Sequence, residues 1–182
     1  MFLVVIIIAI IIGYILRGSL KNIDPSKIKA IYLVFIAFLI EAMMIVLIRK
    51  GYLVRGTLTY IINLIMYITL FVFIYENRYN RWLLLMGAGF LLNALAIFFN
   101  GGAMPVSNTI INQLGMTQNV TAEGLYVIID ASTNLAFLGD IIALKYPRPY
   151  VISVGDIVEV IAIAVFIITE MKSRKYKSNL IA

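Results

Sequence analysis

Long apolar runs separated by short polar breaks dominate this chain, and their lengths predict helices rather than strands. Five runs stand out, at residues 2–16, 30–48, 53–75, 82–99 and 150–169. About 20 residues at 1.5 Å each cover the ~30 Å of hydrocarbon in a bilayer, and all but the first run reach or approach that length. The first, Phe2 to Leu16, has no basic residue before it and no small-residue cleavage pattern after it. It therefore reads as a retained anchor rather than a removed signal peptide. Polar residues punctuate the runs. Asp24-Pro25-Ser26 is a turn and helix-start signal, Arg49-Lys50-Gly51 ends the second run, and Arg78, Arg81 and Trp82 mark an interface.

The pattern changes over residues 100–149. Asn100-Gly101-Gly102-Ala103-Met104-Pro105 closes the fourth run, Ser107 can cap a short helix from Asn108 to Leu114, and Gly115 stops it. Met116 to Thr121 reads as irregular. Residues 124–144 are apolar enough to suggest a sixth span, but Asp130, Ser132, Thr133, Asn134 and Asp140 favour a short re-entrant or interfacial segment. Tyr146-Pro147-Arg148-Pro149 is a stiff connection into the last run. The expected fold is an all-α integral membrane protein, one domain over residues 1–182, with about five spans and a partly helical extracytoplasmic segment between the last two.

Composition agrees: 63% of the residues are hydrophobic and 13% charged, too few polar groups to cover a soluble globule. The net charge of +6 sits in short clusters beside the apolar runs, the pattern of membrane flanks rather than of a nucleic-acid surface. With no Cys and no His, disulfides, thiolate catalysis and Cys/His metal sites are excluded, and no metal or cofactor is expected. Placing the N-terminus outside assigns Arg17, Lys21, Lys27, Lys29, Arg78, Arg81, Lys172, Arg174, Lys175 and Lys177 to the cytoplasm. Arg49, Lys50, Arg55, Lys145 and Arg148 then lie outside. That imbalance predicts N-outside, C-inside, in a bacterial inner membrane.

The candidate chemistry lies in the few polar residues within the runs. On this topology Glu41, Asn63, Asn93 and Glu159 fall roughly 13–16 Å deep, near mid-bilayer, with Asp156 a turn higher and Asn100 and Asp140 at the outer rim. A carboxylate in hydrocarbon costs at least ~2.5 kcal/mol, so one cluster facing an interior is the economical arrangement. Ser153, Asp156 and Glu159, at i, i+3 and i+6, line one helix face. The plainer alternatives are that Asn63 and Asn93 are interhelical hydrogen-bond links and that the glycine pair merely stops a helix.

Asn100-Gly-Gly-Ala-Met-Pro-Val-Ser107, Leu135-Ala-Phe-Leu-Gly-Asp140 and Ser153-Val-Gly-Asp156, in that order, resemble the signature of a bacterial family of small polytopic membrane proteins known only as a domain of unknown function. A weaker echo lies in Gly13 to Leu20. The resemblance implies an architecture and no activity. More loosely, Asp140 and Asp156 are placed like the aspartate pair of lipoprotein signal peptidases, and Asn100-Gly-Gly-Ala is similar to their Asn-x-Gly-Ala motif. The intervening spans are missing, the order around Asp156 differs, and the spacing from Asn100 is short.

Three functions follow. In the first, Glu41, Asn93, Asn100, Gly101, Gly102, Pro105, Ser153, Asp156 and Glu159 build an outward-facing site for a small solute, a lipid-linked ligand or a protein partner. In the second, Asp140 and Asp156 share a proton in an aspartyl hydrolase, with glycine amides at 101 and 102 steadying an oxyanion. In the third, the chain is a structural or accessory subunit of a larger membrane complex. No nucleic-acid partner is expected, and the oligomeric state is open.

Overall fold

A computed structural model of the chain describes residues 2–116, 125–146 and 148–173. Most of the stretch expected to be irregular after Met116, Gly124, Pro147 and the basic tail Arg174, Lys175 and Lys177 lie outside the described residues. The long helices are α1 (Phe2–Ile15), α2 (Tyr32–Arg49), α3 (Thr57–Glu76), α4 (Arg81–Phe98) and, last in the chain, α6 (Val154–Lys172). Three of them, α2, α3 and α4, are long and apolar enough to cross a membrane. Their outer faces carry large apolar residues, such as Phe35 at 68% exposure and Leu39 at 60%, as expected of surfaces whose solvent is lipid.

Local chemistry sets the helix ends. Asn80 caps α4 by accepting from the Trp82 and Leu83 amides at 3.0 and 3.2 Å, and the expected turn at Asp24 forms, its carboxylate accepting from the Ser26 amide at 3.1 Å. Asn77 ties the end of α3 to the entry of α2, exchanging bonds with the Lys29 amide and carbonyl at 2.9 and 2.8 Å. Asn22 donates to the Met171 carbonyl at 2.8 Å and so ties the exit of α1 to the end of α6. The side chains of Arg78 and Arg81 lie over Tyr75, Tyr79 and Trp82, the aromatic and basic pairing of a headgroup interface.

The helices form an arc: α1 packs along α6, α6 along α4, α4 along α3, and α3 along α2. Consecutive in the chain, α1 and α2 stand at the two ends of the arc and do not pack along one another.

The segment from Met104 to Ile152 departs from the all-α expectation. It holds the strands β1 (Met104–Val106), β2 (Tyr126–Ile128), β3 (Ile142–Leu144) and β4 (Tyr150–Ile152), with α5 (Asn108–Gln113) and a 3-10 turn at Ala136–Leu138. β1 pairs β2 in parallel, β3 pairs β4 antiparallel, and Val106 bridges to Asp140. Three-residue strands are too short to show a period of two, so only their β-branched and aromatic content marked them; Tyr-Val-Ile occurs in both β2 and β4. No helix long enough to span forms among the described residues between 125 and 146. The last run also begins differently: Tyr150–Ile152 is strand, and α6 starts only after Ser153. α5 ends at Gln113 with Gly115 at φ +63°, as the sequence indicates.

Candidate functional site

The contact between α4 and α6 is built around two glycines. A Cβ on Gly89 would lie 2.8 Å from the Gly155 carbonyl oxygen and 2.5 Å from Glu159 Cγ, and a Cβ on Gly155 would lie 2.5 Å from Asn93 Cγ. The helices therefore meet at backbone distance, which brings the Asn93 amide against the first turn of α6. Asn93 Nδ2 donates to Asp156 Oδ1 at 3.1 Å and to Glu159 Oε1 at 3.0 Å, and Asn93 Oδ1 accepts from the Ser153 hydroxyl at 2.7 Å. Ser153 and Asp156 also close a capping box: the Asp156 amide donates to Ser153 Oγ at 2.9 Å and the Ser153 amide to Asp156 Oδ2 at 3.0 Å. The face expected from the i, i+3, i+6 spacing is thus formed, with Asn93 as its hub.

Around this hub lies a cavity of about 440 Å³. Glu41, Asp140, Asp156 and Glu159 line it, together with Asn63, Asn93 and Tyr67; the remaining walls are largely apolar, and no Lys or Arg is among its described lining residues. The acidic groups expected to converge from distant parts of the chain do meet. Glu41 reaches the cavity from a stripe on the inner face of α2 that includes Val34, Ala37 and Met44. Among the described residues no group of three acidic side chains can hold a metal ion.

Other candidates serve the scaffold instead. Asn100 donates to the Ala96 and Asn134 carbonyls at 2.7 and 2.8 Å and accepts from the Asn134 amide at 2.9 Å, so it locks the loop to α4. Gly101 and Gly102 have φ of +69° and +81°, and the Gly102 amide donates to the Ile97 carbonyl at 2.9 Å. That is a helix stop, and it commits the Gly102 amide internally. The Gly102 carbonyl accepts from Asn63 Nδ2 at 2.9 Å, and Gly102 lines the cavity. Gly101, Pro105, Ser153 and Asn100 are not among the lining residues.

Asp140 lies between the 3-10 turn and β3, its amide donating to the Pro105 carbonyl at 2.7 Å and its carbonyl accepting from the Ser107 amide at 3.1 Å. Its carboxyl lines the same cavity as Asp156, but among the described residues no hydrogen bond joins the two. Burial first, and the neighbouring charge of Asp156 second, push Asp140 up to about 8. Between the ordinary 3.8 and that value the folded chain holds a proton that the unfolded chain has lost, so this group's contribution to stability falls as pH rises, by at most about 1.4 kcal/mol per pH unit. Thermal midpoints of the purified protein at pH 5 and pH 8 should show the drop, and Asp140→Asn should reduce it. An equal drop in that variant would contradict this assignment.

Sequence reasoning missed Tyr67, which is 7% exposed, lines the cavity and packs edge-on to Phe98 at 5.6 Å. Its spacing of i+4 from Asn63 was the available signal, because both then face the same way on α3.

The model of a family of unknown function (DUF5317) matches residues 25–169. An "Uncharacterized protein" of Thermotoga maritima is 28% identical over 177 residues, 96% of this chain and 95% of that one. No solved structure matches significantly.

Proposed function

The chain belongs to the family of unknown function DUF5317, so its activity must be read from its own residues, and we propose that it is a multi-pass membrane protein whose internal cavity binds an organic cation. The observation that carries this reading is the meeting of Glu41, Asp140, Asp156 and Glu159 in one mostly apolar cavity with no described Lys or Arg on its wall. Carboxyls gathered away from water repel one another when charged, and a positively charged guest relieves both desolvation and repulsion. Tyr67 and Phe90 add aromatic rings to the wall, whose faces attract cations. The volume of about 440 Å³ falls in the usual range for small-molecule sites, about 300–1,000 Å³.

Benzyltrimethylammonium and benzenesulfonate, similar in size and opposite in charge, test the reading. Titrated into the protein in nanodiscs, the cation should bind at least ten-fold more tightly. Equal affinities would remove the proposal.

In this reading α1 and α6 join α2, α3 and α4 as spans, in a bacterial inner membrane with the N-terminus outside. The chain has no cysteine, so single-cysteine variants report topology cleanly. A membrane-impermeant maleimide added to intact spheroplasts should label Ser132→Cys and leave Ser26→Cys unlabelled. The reverse pattern would invert the orientation.

A second reading, an aspartyl hydrolase similar to lipoprotein signal peptidase, is favoured by one observation. Asp140, pushed up to about 8, keeps its proton at neutral pH on the cavity that Asp156 also lines. In such an enzyme Asp156 would activate water while Asp140 protonates the carbonyl. Turnover of a lipidated peptide, abolished in Asp156→Asn with the fold retained, would establish it; no turnover by the unaltered protein would end it.

A further inference from the structure

The cavity is polar at one end and apolar at the other. In α3, Leu70 lies seven residues beyond Asn63; in α4, Leu83 lies ten before Asn93; in α6, Phe166 lies ten beyond Asp156. Each of these helices thus extends its apolar lining about 10–15 Å along the bundle beyond its polar lining residue. These apolar residues converge: Phe73, Leu83, Met86 and Phe166 form one cluster, and each also lines the cavity. A compact cation would fill only the acidic end and leave the apolar end with no partner atoms.

Among the described residues, one side of this space is not closed by helix packing. Because α1 and α2 end the arc without packing along one another, the cavity wall there consists of Phe2 and Ile6 from α1, of Ile31 just before α2, and of Val34 and Phe38 from α2. Ile31 and Phe38 line the cavity and yet are 44% and 57% exposed, so they sit at a mouth that opens sideways, between two apolar helices. The rim residues carry no charge, which suits passage of hydrocarbon and not of a hydrated ion.

We infer that the guest is a single-chain amphiphile with a cationic head, drawn from the bilayer through the gap between α1 and α2, its head at Glu41, Asp156 and Glu159 and its tail toward Phe73, Leu83 and Phe166. This rests on the organic-cation reading above and adds the chain and the entrance. The occupant follows from complementarity: acidic groups at one end select a positive head, and the apolar end and uncharged rim select a tail arriving from lipid.

Dodecyltrimethylammonium in nanodiscs is the probe, with the variant Ile6→Cys/Phe38→Cys joined across the gap by a flexible bismaleimide. Before joining, the variant gives the reference association rate, and it should bind the probe more tightly than benzyltrimethylammonium after correction for partition into empty nanodiscs. After joining, association should slow at least ten-fold. Unslowed uptake by the joined protein, or failure of the reagent to link the two positions, would overturn the lateral entrance. Binding of benzyltrimethylammonium without binding of the dodecyl probe would overturn the amphiphile while leaving the organic-cation site standing. Binding of neither removes that underlying reading, and this inference with it.

Discussion

Replacing Gly155 by valine should destabilise the protein by about 3 kcal/mol, through overpacking and through polar groups left unpaired. For a chain of this length that is a fall of roughly 6–12 °C in thermal midpoint. A Cβ at this position runs into the Asn93 side chain, with Cγ at 2.5 Å, so the amide has to leave its place. When it leaves, the bonds to Asp156, Glu159 and Ser153 break together, because one side chain makes all three. The loss falls on the interface where α4 and α6 approach most closely, and neither helix can retreat without opening the cavity. Gly56 provides the control. Nothing lies within 4 Å of a Cβ built there, so Gly56→Ala should cost no more than about 1 kcal/mol, the preference of a helix N-cap for Gly over Ala. A Gly155→Val protein as stable as the Gly56→Ala protein would mean that α4 and α6 do not meet as described.

The largest effect on binding should come from Glu41→Gln combined with Glu159→Gln. Affinity for benzyltrimethylammonium is expected to fall about 100-fold, at tenfold per 1.4 kcal/mol, since two carboxyls able to ionise against the guest are removed. Stability should not fall with it. The Glu159→Gln side chain keeps an Oε1 acceptor for the Asn93 amide, which donates to Glu159 at 3.0 Å, and among the described residues Glu41 makes no hydrogen bond that its replacement would break. This separation is the reason to choose these two rather than Asp156, whose Oδ2 accepts from the Ser153 amide at 3.0 Å and helps to cap α6. Affinity unchanged in the double variant, measured by titration in nanodiscs, would remove the acidic cluster from the site.

The sequence announced the acidic residues more clearly than their settings. Glu41 and Glu159 were conspicuous because a carboxyl in an apolar run demands an explanation. Nothing local to Gly89 and Gly155 indicated that they face each other or that Asn93 packs against Gly155. Asn100, in the most distinctive motif of the chain, locks a loop, a role that depends on Asn134 thirty-four residues away. The strands escaped notice because three-residue pairs are held by partners far along the chain, not by local periodicity.

Run length and the rarity of charge within the runs decided the long helices and their apolar surfaces from sequence alone, because these follow from residues adjacent in the chain. Which faces meet was decided only by the tertiary structure: the glycine contact that seats Asn93, the joining of four carboxyls on one cavity, and the open side between α1 and α2. Each depends on close packing between segments tens of residues apart, and the hydropathy of a run is the same whichever way its helix is turned.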